Sequence, residues 1–312
     1  MLLNIVAVVG GVALLAVAAD QFVLGGAALS RTLRIAPVVV GVVVMGFGTS
    51  APEMIVSSFA AADDKIGLAV GNIVGSNLVN LSLLLGIGAI ITTLKVSSDT
   101  VRREGPIAFL AAVLYWLMIQ GDFAAWKGVV LFVALGLAIY RTLHAGREGD
   151  VLGTEVDELL GDSAGVPVEV ARTVGGLIGT LIGAQVLLWG ATNIADEAGL
   201  SEGFVGATLV AFGTSLPELV TVIQSARRHE VDLIVGNLLG SNLFNALAVG
   251  GLVMFFGSGS VDDASLTMLG MGLVVVVTGL AGVLMATGHR ITRLEGAALV
   301  VTYLVCLPLL RI

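Results

Sequence analysis

The sequence contains the stretch GFGTSAPE at residues 46–53, followed by GNIVGSNLVN at residues 71–80. The same pair returns as AFGTSLPE, residues 211–218, and GNLLGSNLFN, residues 236–245. Both halves of the pair are displaced by 165 residues, and a constant displacement indicates one duplicated unit. Each copy places a carboxylate, hydroxyls and carboxamides inside a stretch that is otherwise apolar.

The composition is that of a membrane protein. Of 312 residues 57% are hydrophobic and only 12% are charged, whereas a soluble domain has about 25% charged residues. The apolar runs are continuous and about 20 residues long, which favours spanning helices over a barrel. The net charge of −8 is attributed to acidic loops, and no basic run suggests nucleic acid. One cysteine cannot form an internal disulfide.

Ten apolar segments are predicted to cross the membrane. The first lacks a positive leading region, so we expect a retained helix and not a signal peptide. The segments are 2–29, 35–61, 66–93, 103–120, 124–143, 168–195, 202–226, 231–257, 264–287 and 291–311.

The positive charges predict the orientation of the chain. Twelve of the 15 Lys and Arg lie at one set of segment ends, and cytoplasmic loops carry such an excess. Both termini are therefore predicted outside and the central loop inside. The twelve are Arg31, Arg34, Lys95, Arg102, Arg103, Arg141, Arg147, Arg172, Arg227, Arg228, Arg290 and Arg293.

Five spans per unit predict an inverted repeat, because an odd number makes the second unit enter the membrane from the opposite side. The predicted fold is all-α: a first five-helix repeat at 1–143, an acidic cytoplasmic linker at 144–167 and a second repeat at 168–312. The linker is too short for a separate regulatory domain. Secondary transporters commonly have this arrangement, with their sites between the halves.

A proline in each motif predicts a break in the helix. Pro52 lacks an N–H and clashes with the carbonyl four residues earlier, near Gly48, and Pro217 repeats this beside Gly213. A break frees backbone carbonyls, which must find partners within a membrane. A bound ion can supply one.

The polar side chains of the motifs all offer oxygen. Ser50 and Glu53 are three residues apart, and Ser76 and Asn80 are four apart, so each pair shares a helix face. Oxygen ligands without thiol or imidazole favour a hard cation such as Ca2+ or Na+. The other candidates are Thr49, Thr214, Ser215, Glu218, Ser241 and Asn245.

Two alternatives remain open for these groups. A buried Glu can instead pair with Lys or Arg, but the motifs contain neither. The other motif carboxamides can bind an ion or simply tie helices together by hydrogen bonds. They are Asn72, Asn77, Asn237 and Asn242.

Two carboxylates predict exchange between ions. Ionised Glu53 and Glu218 together neutralise one Ca2+, and several Na+ on neighbouring oxygens can replace it. A cation channel uses the same ligands without alternation, and a scaffold leaves the carboxylates unexplained. An enzyme with Ser50 or Ser215 as nucleophile needs a base such as His or Lys, which the motifs lack.

GTSAPE with GNIVGSNLVN, and GTSLPE with GNLLGSNLFN, resemble the two alpha-repeats of the cation/Ca2+ exchanger superfamily, in particular its Na+/Ca2+ exchanger branch. The resemblance covers the whole chain. It implies a ten-helix antiporter in which helices at 2–29 and 168–195 slide across a core. It further implies that ions are ligated by Glu53, Glu218, Thr49, Ser50, Thr214, Ser215, Ser76, Asn80 and Ser241, and by the carbonyls of Gly46 and Ala211.

One position departs from part of that superfamily. Members with K+-dependent exchange, and archaeal relatives, carry Asp where this chain has Asn245, so Asn245 favours K+-independent exchange. The H+/Ca2+ branch has a further Glu in the GN motif, which is absent here. The resemblance implies no resident cofactor and no obligatory protein partner. The expected partners are Ca2+, Na+ and the bilayer of a prokaryotic inner membrane.

Overall fold

The structure is a computed structural model that describes residues 2–32, 50–96, 100–145, 165–228, 231–261, 263 and 265–310. These residues are mostly helical. The first half contains α1 (Leu2–Thr32), α2 (Ala51–Ala62), α3 (Ile66–Leu78, the π-helical Val79–Leu84, Leu85–Ile91), α4 (the π-helical Thr100–Glu104, Gly105–Met118) and α5 (Ala125–Ala145). The second contains α6 (Val166–Ala198), α7 (Glu202–Val205, the π-helical Gly206–Val210, Ala211–Thr214), α8 (Leu216–Arg228), α9 (Val231–Phe244, the π-helical Asn245–Val249, Gly250–Phe256), α10 (the π-helical Ser265–Gly270, Met271–Ala286) and α11 (Arg293–Leu309).

Four helices among the described residues are long and apolar enough to cross a membrane: Ile66–Ile91, Val166–Ala198, Ile234–Phe256 and Ser265–Ala286. The bent pair α7 and α8 is a fifth when counted as one span. These helices differ in how much of their apolar stretch is buried inside the protein. The buried share is 83% in α3 and 78% in α9, against 39% in α10. The two helices with the GN motifs are therefore central, and the full set of ten spans stays a prediction.

The helix bounds of the two halves repeat. Each described helix from α1 to α5 has a counterpart at an offset of 164 to 168 residues. The comparison leaves out α7, because the matching residues 33–49 lie outside the described part of the chain. Even the π-helical segments correspond, since Val79–Leu84 in α3 matches Asn245–Val249 in α9. The duplication seen in the motifs therefore extends through local structure. The linker residues 146–164 lie outside the described part of the chain.

The long helices α1 and α6 pack against each other in opposite directions. Near the start of α1, Asn4 Nδ2 donates to Glu197 Oε1 near the end of α6, at 2.7 Å. Near the other end of the pair, a Cβ on Gly25 of α1 would meet the backbone of Thr173, close to the start of α6. The two equivalent helices of the repeat are thus antiparallel.

The contact between α1 and α6 is reciprocal. A Cβ added to Gly11 would lie 2.6 Å from Leu187 N, and one added to Gly176 would lie 2.3 Å from Phe22 N. Gly11 and Gly176 are 165 residues apart, and so are Phe22 and Leu187. Each helix therefore presents the same glycine to the same position of its counterpart, which is the pattern that a two-fold axis produces.

Glycine also lets the two halves meet beside the motifs. A Cβ on Gly75 of α3 would lie 2.2 Å from Ala207 O of α7, and one on Gly206 would lie 2.4 Å from Leu68 O. The backbones of α3 and α7 are therefore in direct contact, as small residues allow in membrane helix pairs. This packing places residues 71–80 of the first half against residues 206–215 of the second.

A two-stranded ladder, which the sequence did not predict, joins two turns. β1 (Leu94–Lys95) pairs antiparallel with β2 (Arg290–Ile291), in the register Leu94 with Ile291. Val96 N extends the ladder to His289 O at 2.9 Å. Strands of two residues are too short for an alternating pattern to reveal them, so only the structure shows this tie between the α3–α4 and α10–α11 turns.

A capping box begins α11, directly after β2. Thr292 Oγ1 accepts from Glu295 N, and Glu295 Oε2 accepts from Thr292 N at 2.7 Å. Loss of such a cap costs about 1 kcal/mol, so we expect Thr292→Ala to lower the thermal unfolding midpoint in detergent. Thr302→Ala is the matched control, because the exposed Thr302 hydroxyl only bonds back to Ala298 O within the same helix. Equal shifts for the two variants would contradict the capping role.

Candidate functional site

In each motif a serine directly precedes the helix that carries the glutamate. Ser50 (φ −92°, ψ 6°) precedes α2, and Ser215 (φ −86°, ψ 9°) separates α7 from α8, so both lie near the bridge region of the backbone map. Pro52 and Pro217 follow two residues later, and α7 and α8 are bent by 47°. The predicted break in the second motif is therefore present, and α2 begins at the matching residue of the first.

Two carboxylates lie in the first turns of α2 and α8. Glu53 and Glu218 have no exposed surface, and an anion in a helix's first turn is favoured by the macrodipole. Ser215 Oγ of the second half donates to Glu53 Oε1 at 3.3 Å, and Ser241 Oγ donates to Glu218 Oε1 at 3.3 Å. The Oε2 atom of each carboxylate has no hydrogen-bond partner.

Ser241 connects the two halves on one side of this pair. Its Oγ lies 3.0 Å from Ser50 Oγ and accepts from Asn80 Nδ2 at 3.2 Å. Asn80 Nδ2 also donates to Asn242 Oδ1 at 3.0 Å. The predicted ligands Ser50, Glu218, Ser241 and Asn80 are therefore gathered in one buried cluster.

The matching residues of the other side are buried but unpaired. Ser76 and Asn245 have no exposed surface, and Ser76 Oγ and both amide atoms of Asn245 lack hydrogen-bond partners. Asn80 Oδ1 is unpaired as well. Buried polar atoms normally have partners, and these atoms mark a place where the described protein groups supply none.

Positive side chains do not fill that place. Among the residues whose burial the structure describes, Lys127 is the only buried Lys or Arg, and its Nζ donates to Gln120 O and Asp122 O at 2.7 Å each. Within the same described residues, no group of three or more His, Cys, Asp and Glu could hold a metal. The site thus combines two carboxylates with neutral oxygens, which suits a hard cation and not a soft metal.

Two predicted ligands of α7 have other partners already. Ala211 O accepts from Ser215 N at 3.1 Å and lies 3.2 Å from Thr214 Oγ1. Thr214 Oγ1 also lies 3.2 Å from Asn72 Oδ1. Thr214 has a single hydroxyl proton, so only one of these two acceptors can receive it at a time. The predicted ligands Thr49 and Gly46 lie outside the described residues.

The four remaining carboxamides divide into two groups. Asn72 bonds to Ser57 and Thr214, and Asn242 bonds to Asn80 and donates to Asn77 O at 3.1 Å, so both tie helices together. The amides of Asn77 and Asn237 have no hydrogen-bond partners. Asn72 and Asn242 therefore do tie helices together, whereas the choice between helix tie and ion ligand stays open for Asn77 and Asn237.

Ser57 is the polar neighbour that the motif comparison missed. It is fully buried in α2, four residues after Glu53 and on the same helix face, and it accepts from Asn72 Nδ2 at 2.9 Å. Its counterpart in the second half is Val222. Searching for residues shared by both repeats passes over it, whereas a search for hydroxyls on the Glu53 face would have found it.

The family model described as sodium/calcium exchanger protein matches residues 3–143 and 169–310. The chain belongs to the sodium/calcium exchanger family. The two matched stretches cover nearly all of it and leave out the acidic linker. As a member of this family the protein is an integral, multi-pass membrane transporter.

Curated membrane proteins match over most of their length. The chain is 34% identical over 314 residues to "Putative antiporter CaxA" of Alkalimonas amylolytica, covering 97% of each. It is 26% identical to "Sodium/calcium exchanger MaX1" of Methanosarcina acetivorans over 96% of each chain. An inner membrane protein of Escherichia coli, YrbG, is 34% identical over 84% of this chain and 82% of its own.

A solved exchanger has a similar structure. The sodium-calcium exchanger NCX_Mj, soaked with 10 mM Na+ and 10 mM Sr2+, superposes with a TM-score of 0.68 at 28% identity, over 98% of each chain. The recognition of the exchanger family from the duplicated motifs is thereby confirmed.

Proposed function

We propose that this member of the family exchanges Ca2+ for Na+ through one shared oxygen site centred on Glu53 and Glu218. The observation that carries the proposal is the buried carboxylate pair, each member with one unpaired oxygen. An ionised carboxylate inside a membrane is costly without a counter-charge. A cation supplies that charge and the missing partners.

The proposed ligands come from both halves. Carboxylates would provide the charge, and hydroxyl, amide and backbone oxygens would complete a shell of six to eight for Ca2+. The full set is Glu53, Glu218, Thr49, Ser50, Thr214, Ser215, Ser76, Asn80, Ser241, Asn245 and the carbonyls of Gly46 and Ala211. Two carboxylates balance one Ca2+, so Na+ entering the neighbouring oxygens competes with it. Competition of this kind favours antiport over co-transport.

Alternating access is proposed as the way in which the ions cross. The support is the reciprocal, antiparallel packing of α1 and α6, which suits two repeats of opposite orientation with a site between them. In this arrangement 1–143 and 168–312 are the two repeats. Both termini lie outside, and the linker 144–167 lies in the cytoplasm of a prokaryotic cell.

Coupling to Na+ alone is proposed from Asn245. Its neutral amide replaces the extra carboxylate expected of a K+-coupled site, and its oxygen is unpaired in the buried site. The GN motifs carry no Glu that could take up a proton. The exchange is therefore proposed to need neither K+ nor H+.

The test is 45Ca uptake into proteoliposomes under a Na+, K+ or H+ gradient imposed in turn. We expect uptake that saturates with Ca2+ and requires Na+ on the opposite side, at a rate unchanged by K+. Protein-free vesicles and a K+ gradient without Na+ are the controls. Uptake driven only by a pH gradient would overturn sodium coupling, and flux without any counter-ion would indicate a channel.

A further inference from the structure

The two halves differ at one buried polar contact behind the site. In the first half, Asn72 Nδ2 donates to Ser57 Oγ at 2.9 Å. In the second half the matching residues are Asn237 and Val222, both buried, and the amide of Asn237 has no hydrogen-bond partner. A hydroxyl on one side thus corresponds to a methyl group on the other.

The hydroxyl of Ser57 determines which way the Asn72 amide faces. Ser57 Oγ donates its proton to Ala69 O at 3.4 Å, and a carbonyl can only accept. Ser57 Oγ must therefore accept its second bond, so the NH2 group of Asn72 faces Ser57. The carbonyl oxygen of the Asn72 amide then faces Thr214 Oγ1, at 3.2 Å.

This orientation matters for a hydroxyl that ligates a cation, because its proton must point away from the cation. Thr214 has one proton and two acceptors within 3.2 Å, namely Asn72 Oδ1 and Ala211 O. When Asn72 accepts it, the lone pairs of Thr214 Oγ1 stay available, and Ala211 O keeps a lone pair as well. When the Asn72 amide turns over, its NH2 group donates to Thr214 and occupies a lone pair.

We propose that Ser57 is a positioning residue that acts through Asn72 to keep two oxygens of α7, Thr214 Oγ1 and Ala211 O, free for the transported cation. The inference rests on the proposed function of the site. The second half lacks this device, because Val222 can neither donate nor accept. The two halves of the site are therefore unequally prepared for ions although their motifs are nearly identical.

The experiment compares Ca2+ half-saturation and maximal rate of Na+-driven uptake for Ser57→Ala, Ser57→Thr and Val222→Thr in proteoliposomes. A hydrogen bond contributes about 0.5–1.5 kcal/mol, so Ser57→Ala should raise the half-saturating Ca2+ concentration about 2- to 10-fold. Ser57→Thr keeps the hydroxyl, so its half-saturating Ca2+ concentration should stay close to that of the wild-type protein. Val222→Thr is close in shape and supplies the missing hydroxyl opposite Asn237, so it should lower the value.

A double-mutant cycle tests whether the effect passes through Thr214. In a Thr214→Val background, Ser57→Ala should change half-saturation less than twofold, since no hydroxyl remains to be oriented. A full effect in that background, or a lower maximal rate with unchanged half-saturation, would overturn the positioning role. A rise of the half-saturating concentration in Val222→Thr would overturn it too. Absence of Na+-driven uptake by the wild-type protein would instead refute the proposed function.

Discussion

Glu53→Gln and Glu218→Gln should each reduce Na+-driven Ca2+ uptake at least ~100-fold. Opposite charges about 4 Å apart attract by roughly 4 kcal/mol at an effective dielectric constant near 20, and Ca2+ approaches its ligands more closely than that. Among the described residues, neither carboxylate has a Lys or Arg partner that could balance its charge instead of Ca2+. The measurement is initial 45Ca uptake at saturating Na+ gradient, compared with wild-type protein at equal amounts in the vesicles.

Stability separates a lost ion site from a damaged fold. Gln is isosteric with Glu and removes an ionised group from a fully buried position, so the unfolding midpoint in ion-free buffer should not fall. Wild-type protein should gain stability with Ca2+, about 2.7 kcal/mol at 100 times Kd, and the variants should not. Asp196→Asn, at an exposed carboxylate near the end of α6, is the control and should retain both exchange and stabilisation. Retained flux in either Gln variant would refute the shared site.

The gathering of the two motifs into one buried site could be predicted, because repetition at a fixed offset and polar groups in apolar helices are both visible in the sequence. Glu53, Ser50, Glu218 and Ser241 do lie together. The sequence did not show which of these side chains form hydrogen bonds with one another. It did not indicate that Ser241 connects Ser50 to Glu218 while its counterpart Ser76 has no partner.

The unpredicted features depend on contacts between distant segments. The strand pair of Leu94–Lys95 with Arg290–Ile291 joins turns almost 200 residues apart, and neither strand has a pattern of its own. Ser57 has a role only because Asn72 of the next helix lies 2.9 Å away. A repeat-based comparison reveals what two halves share, whereas Ser57 and Val222 differ.

A second asymmetry between the halves lies in the hydrogen bonds of the matching serines Ser241 and Ser76. Ser241 is linked to Asn80 and Glu218 by hydrogen bonds within the protein, whereas Ser76 Oγ and the Asn245 amide have no partner. An unpaired buried group costs about 1–3 kcal/mol. Under the proposed function, a cation should therefore gain more on the Ser76 side, where it supplies missing partners, than on the Ser241 side, where it competes with protein hydrogen bonds.

Alanine substitutions of the glycines between α1 and α6 should strongly destabilise the protein, and the neighbouring glycines in the sequence provide the controls. Gly11→Ala and Gly176→Ala should each destabilise the protein by about 1–3 kcal/mol, since a Cβ there would meet main-chain nitrogen that cannot rotate away. Gly10 and Gly175 have no neighbour within 4 Å among the described residues, so their Ala variants should be neutral or more stable, by up to about 1 kcal/mol. Thermal unfolding in detergent measures all four.

The reciprocal contact also predicts that Gly11→Ala and Gly176→Ala have equal effects on stability. If a two-fold axis relates α1 and α6, the shifts for Gly11→Ala and Gly176→Ala should agree within about 0.5 kcal/mol. The double variant should cost less than their sum, because the first added methyl group already separates the helices at the shared interface. Strong destabilisation by one variant and none by its counterpart would show that the two contacts are not equivalent, and the symmetric packing inferred for the long helices would then be wrong.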